Sequence, residues 1–108
     1  MTLNEYQQMA VETAVYGDGD KIIYPTLGLC GEAGEVSDKV KKVIRDNDGI
    51  FTEELKEQIM IEMSDCLWYC AALARDLGYT LEEAAKKNLN KLNSRLERGV
   101  ISGSGDNR

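Results

Sequence analysis

Four stretches of the chain place apolar residues at steps of three and four, the spacing of one helix face. In the first, Leu3, Tyr6, Ala10 and Thr13 line one side and Thr2 with Glu5 makes a capping box, which predicts a helix from Thr2 to about Tyr16. Gly17-Asp18-Gly19-Asp20 breaks it. The second helix starts near Pro25, a residue suited to the first helical turn, and runs to about Arg45. Its apolar stripe is Leu29, Ala33, Val36, Val40 and Val43. One residue behind runs a second stripe, Gly28, Glu32, Glu35, Lys39 and Lys42, rotated by roughly 100° so that it flanks the core seam.

The third helix follows Thr52 as N-cap and ends before Gly78, with Ile59, Met63, Cys66, Cys70, Leu73 and Leu77 as its stripe. From Cys66 to Ala74 it is apolar all round, which calls for burial on every side. A single small bundle does not supply that, so the pattern predicts a homo-oligomer, a dimer or tetramer, associating through this helix. The fourth helix opens with the capping box Thr80-Leu81-Glu82-Glu83 and runs to about Glu97, turning Leu81, Ala85, Leu89, Leu92 and Leu96 to the core. Strand-like alternation is sparse and the chain holds one proline. The expectation is an all-α bundle of four to five helices over residues 1–98, with a flexible Gly/Ser/Asp-rich tail at 99–108.

Composition narrows the function classes. At 108 residues, 43% hydrophobic and 30% charged, the chain is long enough for one domain with one core. The net charge of −6 argues against binding to nucleic acid polymers or to anionic membranes. The three cysteines, Cys30, Cys66 and Cys70, are odd in number, form no CxxC pair and sit among apolar residues, as reduced thiols do in a cytoplasmic protein. No basic-then-apolar leader opens the sequence and no apolar run approaches ~20 residues, which agrees with a cytoplasmic place. Histidine is absent, which removes Ser-His and Cys-His catalysis and leaves oxygen atoms as the available metal ligands. Oxygen donors select magnesium, manganese or calcium over zinc.

Two carboxylate pairs at i,i+3 spacing carry the candidate chemistry: Glu32 with Glu35, and Glu62 with Asp65. Residues three apart share a helix face, and like charges there repel. A solvated face is the other reading of Glu32 and Glu35. Glu62 and Asp65 lie between Ile59, Ile61, Met63, Cys66 and Leu67, where a lone carboxylate is costly to bury. If the two helices pack antiparallel, four acids converge, and such a cluster needs protons or a cation. The small residues around the first pair, Gly28, Gly31, Ala33 and Gly34, point to close approach by a helix or a ligand.

Of the basic residues, Lys39 reads either as an i,i+4 partner of Glu35 or as part of the site. Asn88, Lys91 and Arg95 share a face of the fourth helix, where an amide, an ammonium and a guanidinium make a phosphate grip, or else a solvated basic face. Trp68 and Tyr69 can stack on a base, although Trp68 also suits the core.

Gly-Leu-x-Gly-Glu-Ala-Gly-Glu-Val-x-Asp at 28–38, Glu62-x-x-Asp65-x-Leu-Trp-Tyr, and Asn88-x-x-Lys91-Leu-x-x-Arg95, taken in order, resemble the MazG-like nucleotide pyrophosphohydrolases of the all-α NTP pyrophosphatase superfamily. The resemblance covers the second to fourth helices and the tail. It implies a helical, oligomeric, magnesium-dependent enzyme, with manganese as substitute, that cleaves nucleoside triphosphates to monophosphate and pyrophosphate. By position it makes Glu32, Glu35, Glu62 and Asp65 metal ligands or water activators, and Lys91 and Arg95, with Asn88, the phosphate contacts. Taken with the reading of the residues themselves, the expected catalytic set is Glu35, Glu32 and Lys39, and Trp68 joins the substrate contacts. Gly31 stands where the family often carries a further glutamate, so this chain has one carboxylate fewer. The competing class is a non-catalytic helical interaction module with a structural metal site.

Overall fold

The computed structural model describes residues 1–108 and holds four α-helices: α1 (Leu3–Val11), α2 (Ile23–Asp46), α3 (Glu53–Asp76) and α4 (Leu81–Glu97). A 3₁₀ turn at Asp18–Asp20 is the only other regular element, and no strand is present. The caps read from the sequence form as read. Thr2, Thr52 and Thr80 each accept the backbone N–H three residues on, at 3.0, 3.2 and 3.1 Å. The Glu83 carboxylate accepts the Thr80 hydroxyl at 3.2 Å, in place of the Thr80 backbone N–H that a capping box would give it.

α2 and α3 have 24 residues each, about 36 Å of helix, and pack against one another as a hairpin. The reversal between them uses Asp48 and Gly49 at φ +53° and +73°, with the Gly49 N–H returning to the Val43 carbonyl. α1 and α4 pack on α3 and on each other. Their meeting point is the small core of Ala10, Ala71 and Leu81, with Tyr6, Trp68 and Cys70 packed around it. Gln7 is buried there and fully satisfied. Its amide donates to the Ala71 and Tyr79 carbonyls at 3.1 and 3.2 Å, and its carbonyl accepts the Leu81 N–H at 3.0 Å. One side chain therefore ties α1 to the end of α3 and the start of α4.

α1 stops at Val11, five residues short of the expected Tyr16. The Ala10 carbonyl, which would continue the helix, is taken by the Thr13 N–H, the Thr13 hydroxyl and the indole N–H of Trp68. The chain then turns toward Asp76, whose carboxylate accepts the Tyr16 hydroxyl at 2.9 Å and the Ile22 N–H at 3.0 Å. Ile22 sits at φ +68°, a costly conformation for a β-branched residue, and this hydrogen bond anchors it. α2 consequently begins at Ile23, two residues before Pro25.

Only nine residues are buried, and the radius of gyration is 16.7 Å against about 13 Å for a compact domain of this length. The apolar stripes explain the excess. Of the α4 stripe expected in the core, Leu81 is buried, but Leu89, Leu92 and Leu96 are 56%, 39% and 68% exposed. Met63 of α3, Leu77 just after it and Ile44 of α2 are likewise exposed. Within one chain, the surface of α3 that is fully covered is its alanine segment, Ala71, Ala72 and Ala74. Residues 99–108 follow as a run of bends in which the Arg108 guanidinium collects the carbonyls of Val100, Gly105 and Ile101.

Candidate metal centre and its surroundings

The α2–α3 hairpin brings Glu32 of α2 opposite Glu62 and Asp65 of α3, with one carboxylate oxygen of each within 4.8 Å of the others. The i,i+3 spacing places Glu62 and Asp65 on one face of α3, and Glu32 comes from the stripe that flanks the α2 seam. Glu32 and Glu62 are half-buried and Asp65 is exposed. Partial burial, then the charges of Asp65, Glu62 and Glu35, push the Glu32 carboxyl above its ordinary value. This is the electrostatic state of an acid cluster in which the negative charges outnumber the one ammonium beside them, Lys39. Three carboxylates drawn from two helices are a set that could hold a metal ion.

Glu35 stands outside this trio. It is exposed, one turn along α2, and reaches the site through its charge on Glu32. Lys39 approaches Glu62 at 3.9 Å, both side chains partly covered. The alternative pairing of Lys39 with Glu35 is not the one formed, because the facing α3 carboxylate competes for the ammonium. Lys41 and Lys42 are drawn away to Asp38 at 2.9 and 2.7 Å, which hold the Asp38 carboxyl down at about 2.

Beside the carboxylates lies a cavity of about 350 Å³ lined by Glu32, Asp65, Trp68 and Tyr69. Trp68 takes the core role read for it, and its side chain also reaches the cavity. Its indole N–H is fixed to the Ala10 carbonyl at 3.1 Å and the Thr13 hydroxyl at 2.8 Å, while the side chain also walls the cavity. Tyr6 of α1 borders the same region. Burial first, and then the negative charge of Asp65, raise its phenol above the ordinary value.

Of the glycines flagged around Glu32, only Gly28 meets the expectation of close approach, since the Tyr69 ring lies directly against it. Gly31 and Gly34 face open space. Asn88, Lys91 and Arg95 are not brought to the cavity. Asn88 and Lys91 are exposed on α4, and Arg95 is buried under the tail, donating to the Asp106 carbonyl at 2.9 Å.

Two structural residues went unseen in the sequence. Gln7 and Asp76 look like ordinary surface polar residues there, and nothing in their spacing marks them. Tyr6 was legible only as an α1 contact.

A family model, the MazG nucleotide pyrophosphohydrolase domain, matches residues 25–100. The Gene 37 protein of Mycobacterium phage L5 is 49% identical over 114 aligned positions that cover the whole of both chains. No solved structure matches the chain.

Proposed function

We propose, from the premise that the chain belongs to the MazG nucleotide pyrophosphohydrolase family, that it hydrolyses nucleoside triphosphates to monophosphate and pyrophosphate with magnesium, or manganese in its place. The observation that carries this reading is the convergence of Glu32, Glu62 and Asp65 from two helices beside a cavity with aromatic walls. These three residues would hold the cation. When bound, it would neutralise charge on the phosphates and lower the pKa of a coordinated water.

The chain's own groups supply the rest. Glu35, exposed beside the trio, is the carboxylate free to accept the proton of an attacking water. Lys39 is placed to balance the acids and to meet a phosphate oxygen. Trp68, locked by its two hydrogen bonds, presents a fixed wall and keeps water off one side of the cavity.

Asn88 and Lys91 are the phosphate contacts of this reading, together with Arg95 once its guanidinium is released from the tail. Their exposure on α4, with the open apolar faces of α2, α3 and α4, supports a homodimer or homotetramer in which copies cover one another. No helix is long and apolar enough to cross a membrane. The three free thiols suit a reducing cytoplasm.

The test is pyrophosphate release from a panel of nucleoside triphosphates with magnesium and with chelator. Magnesium-dependent release is expected. Equally negligible release in both conditions defeats the enzyme reading. Metal-dependent thermal stabilisation without any nucleotide effect would identify a non-catalytic module with a structural metal site.

A further inference from the structure

α2 is entered through a strained turn. Ile22 lies at φ +68° and ψ −52°, and the Ile23 N–H returns to the Lys21 carbonyl at 2.7 Å. This is a γ-turn of the rare, strained hand, with a β-branched residue at its centre. What holds it is a carboxylate at the far end of α3, none of whose side chain is exposed. Asp76 Oδ2 accepts the Ile22 N–H at 3.0 Å and the Tyr16 hydroxyl at 2.9 Å. Its Oδ1 accepts the Nε and one terminal N–H of Arg75 at 3.2 and 3.1 Å. Backbone strain persists where its surroundings over-determine it, and such an outlier calls for a role.

The place of this latch on the hairpin supplies one. α2 leans chiefly on α3. The turn at Asp48 and Gly49 joins the two helices at one end, and the bond from Ile22 to Asp76 closes the other. Glu32, Glu62 and Asp65 lie between the two closures. Ile22 to Glu32 is about 15 Å of helix, and Asp76 back to Asp65 about 16 Å. The latch therefore pairs the helices in the same register that sets Glu32 opposite Asp65. Three carboxylates within 4.8 Å push α2 away from α3 until a cation joins them, and the latch resists that push.

We propose that Asp76 is a positioning residue for the metal centre: by seating the strained Ile22 turn against the end of α3, it fixes the register of α2 and keeps Glu32 within reach of Glu62 and Asp65. This rests on the reading that the three carboxylates hold a cation, and adds how the chain keeps them together. The coupling is reciprocal. A cation that draws α2 onto α3 closes the latch, and a closed latch tightens the cation.

The Ile22 amide is the direct reporter, because its hydrogen exchange requires the latch to open. Exchange would be followed on the full chain in chelator and in magnesium, with magnesium affinity measured by titration calorimetry. Magnesium should slow Ile22 exchange about fivefold or more, and D76N should weaken magnesium by a like factor. I22G in the D76N background should recover much of that loss, since glycine takes a positive φ without strain. A residue that merely stabilises the fold gives no such rescue. Y16F removes one bond to Asp76 and keeps the ring, so it should weaken magnesium in the same direction, and it serves if D76N folds poorly. In chelator, E62Q should slow Ile22 exchange by relieving the repulsion. Equal magnesium affinity in native, D76N and Y16F chains, or Ile22 exchange indifferent to magnesium and to E62Q, would overturn the proposal and leave the cation site standing. No magnesium or manganese binding by the native chain would remove the cation reading. The E62Q arm then decides alone, slowed exchange keeping the register role of Asp76 and unchanged exchange ending it.

Discussion

Replacing Glu62 by glutamine should move the protein's stability in opposite directions with and without metal. In the metal-free chain Glu62 faces Glu32 and Asp65 within 4.8 Å, and Lys39 at 3.9 Å. At the dielectric of water each repulsion is worth about 0.9 kcal/mol and the attraction about 1.1 kcal/mol. Removing the charge therefore relieves about 0.7 kcal/mol net, and up to about 3 kcal/mol if the site behaves as an effective dielectric of 20. The trio is half-exposed, so the lower figure governs, and E62Q without metal should melt a few degrees higher than the native chain. With metal the order reverses. A ligand at one hundred times its dissociation constant stabilises by about 2.7 kcal/mol, and a site made tenfold weaker by losing a carboxylate forfeits about 1.4 kcal/mol of that. Thermal melts in chelator and across a magnesium series test both halves. A glutamine variant that melts no higher in chelator, and still gains the full shift with magnesium, would refute the account of the cluster as a cation site with excess negative charge.

Gln7→Leu leaves the Leu81 N–H without a partner and removes two donated hydrogen bonds, so it should cost about 2–4 kcal/mol, read as a lower denaturant midpoint. Asp76 is pushed up by burial, but its hydrogen bonds from Ile22, Tyr16 and Arg75 outweigh this and hold its carboxyl below the ordinary value. Its stabilisation is therefore complete above about pH 4 and lost as pH falls through the folded value, so the gap between native and D76N chains should narrow on acidification. A gap that stays constant from pH 7 to pH 3 would count against this. Glu32 has the opposite sign: its raised carboxyl makes the metal-free chain lose stability as pH rises through and past the ordinary glutamate range. Metal binding must displace that proton, so the magnesium-induced melting shift should be larger at pH 7.5 than at pH 5, and should lose this pH dependence in E32Q.

The helices, their caps and the acid pair on α3 were legible because they depend on spacing along a single segment. Thr2, Thr52 and Thr80 cap where their positions before apolar-periodic runs say they should. Glu62 and Asp65 stand out as carboxylates in an apolar stretch. Glu32 and Glu35 could not be separated that way. They share a face, but only the position of α3 decides that Glu32 joins the trio and Glu35 stays outside it. The early end of α1 was hidden for a like reason, since the Ala10 carbonyl is claimed by Trp68, 58 residues away. The α4 stripe shows the converse, because periodicity says that Leu89, Leu92 and Leu96 share a face and cannot say whether this chain or another covers it.

Local periodicity and capping chemistry settled on their own that this is a helical protein, and the absence of histidine left carboxylates as its candidate metal-binding groups. Which acids meet, which glycine is needed and which polar side chains are buried are pairwise facts between distant segments. They follow from how α2 lies on α3: the same approach that seats Glu32 beside Glu62 and Asp65 presses the backbone at Gly28 against the ring of Tyr69.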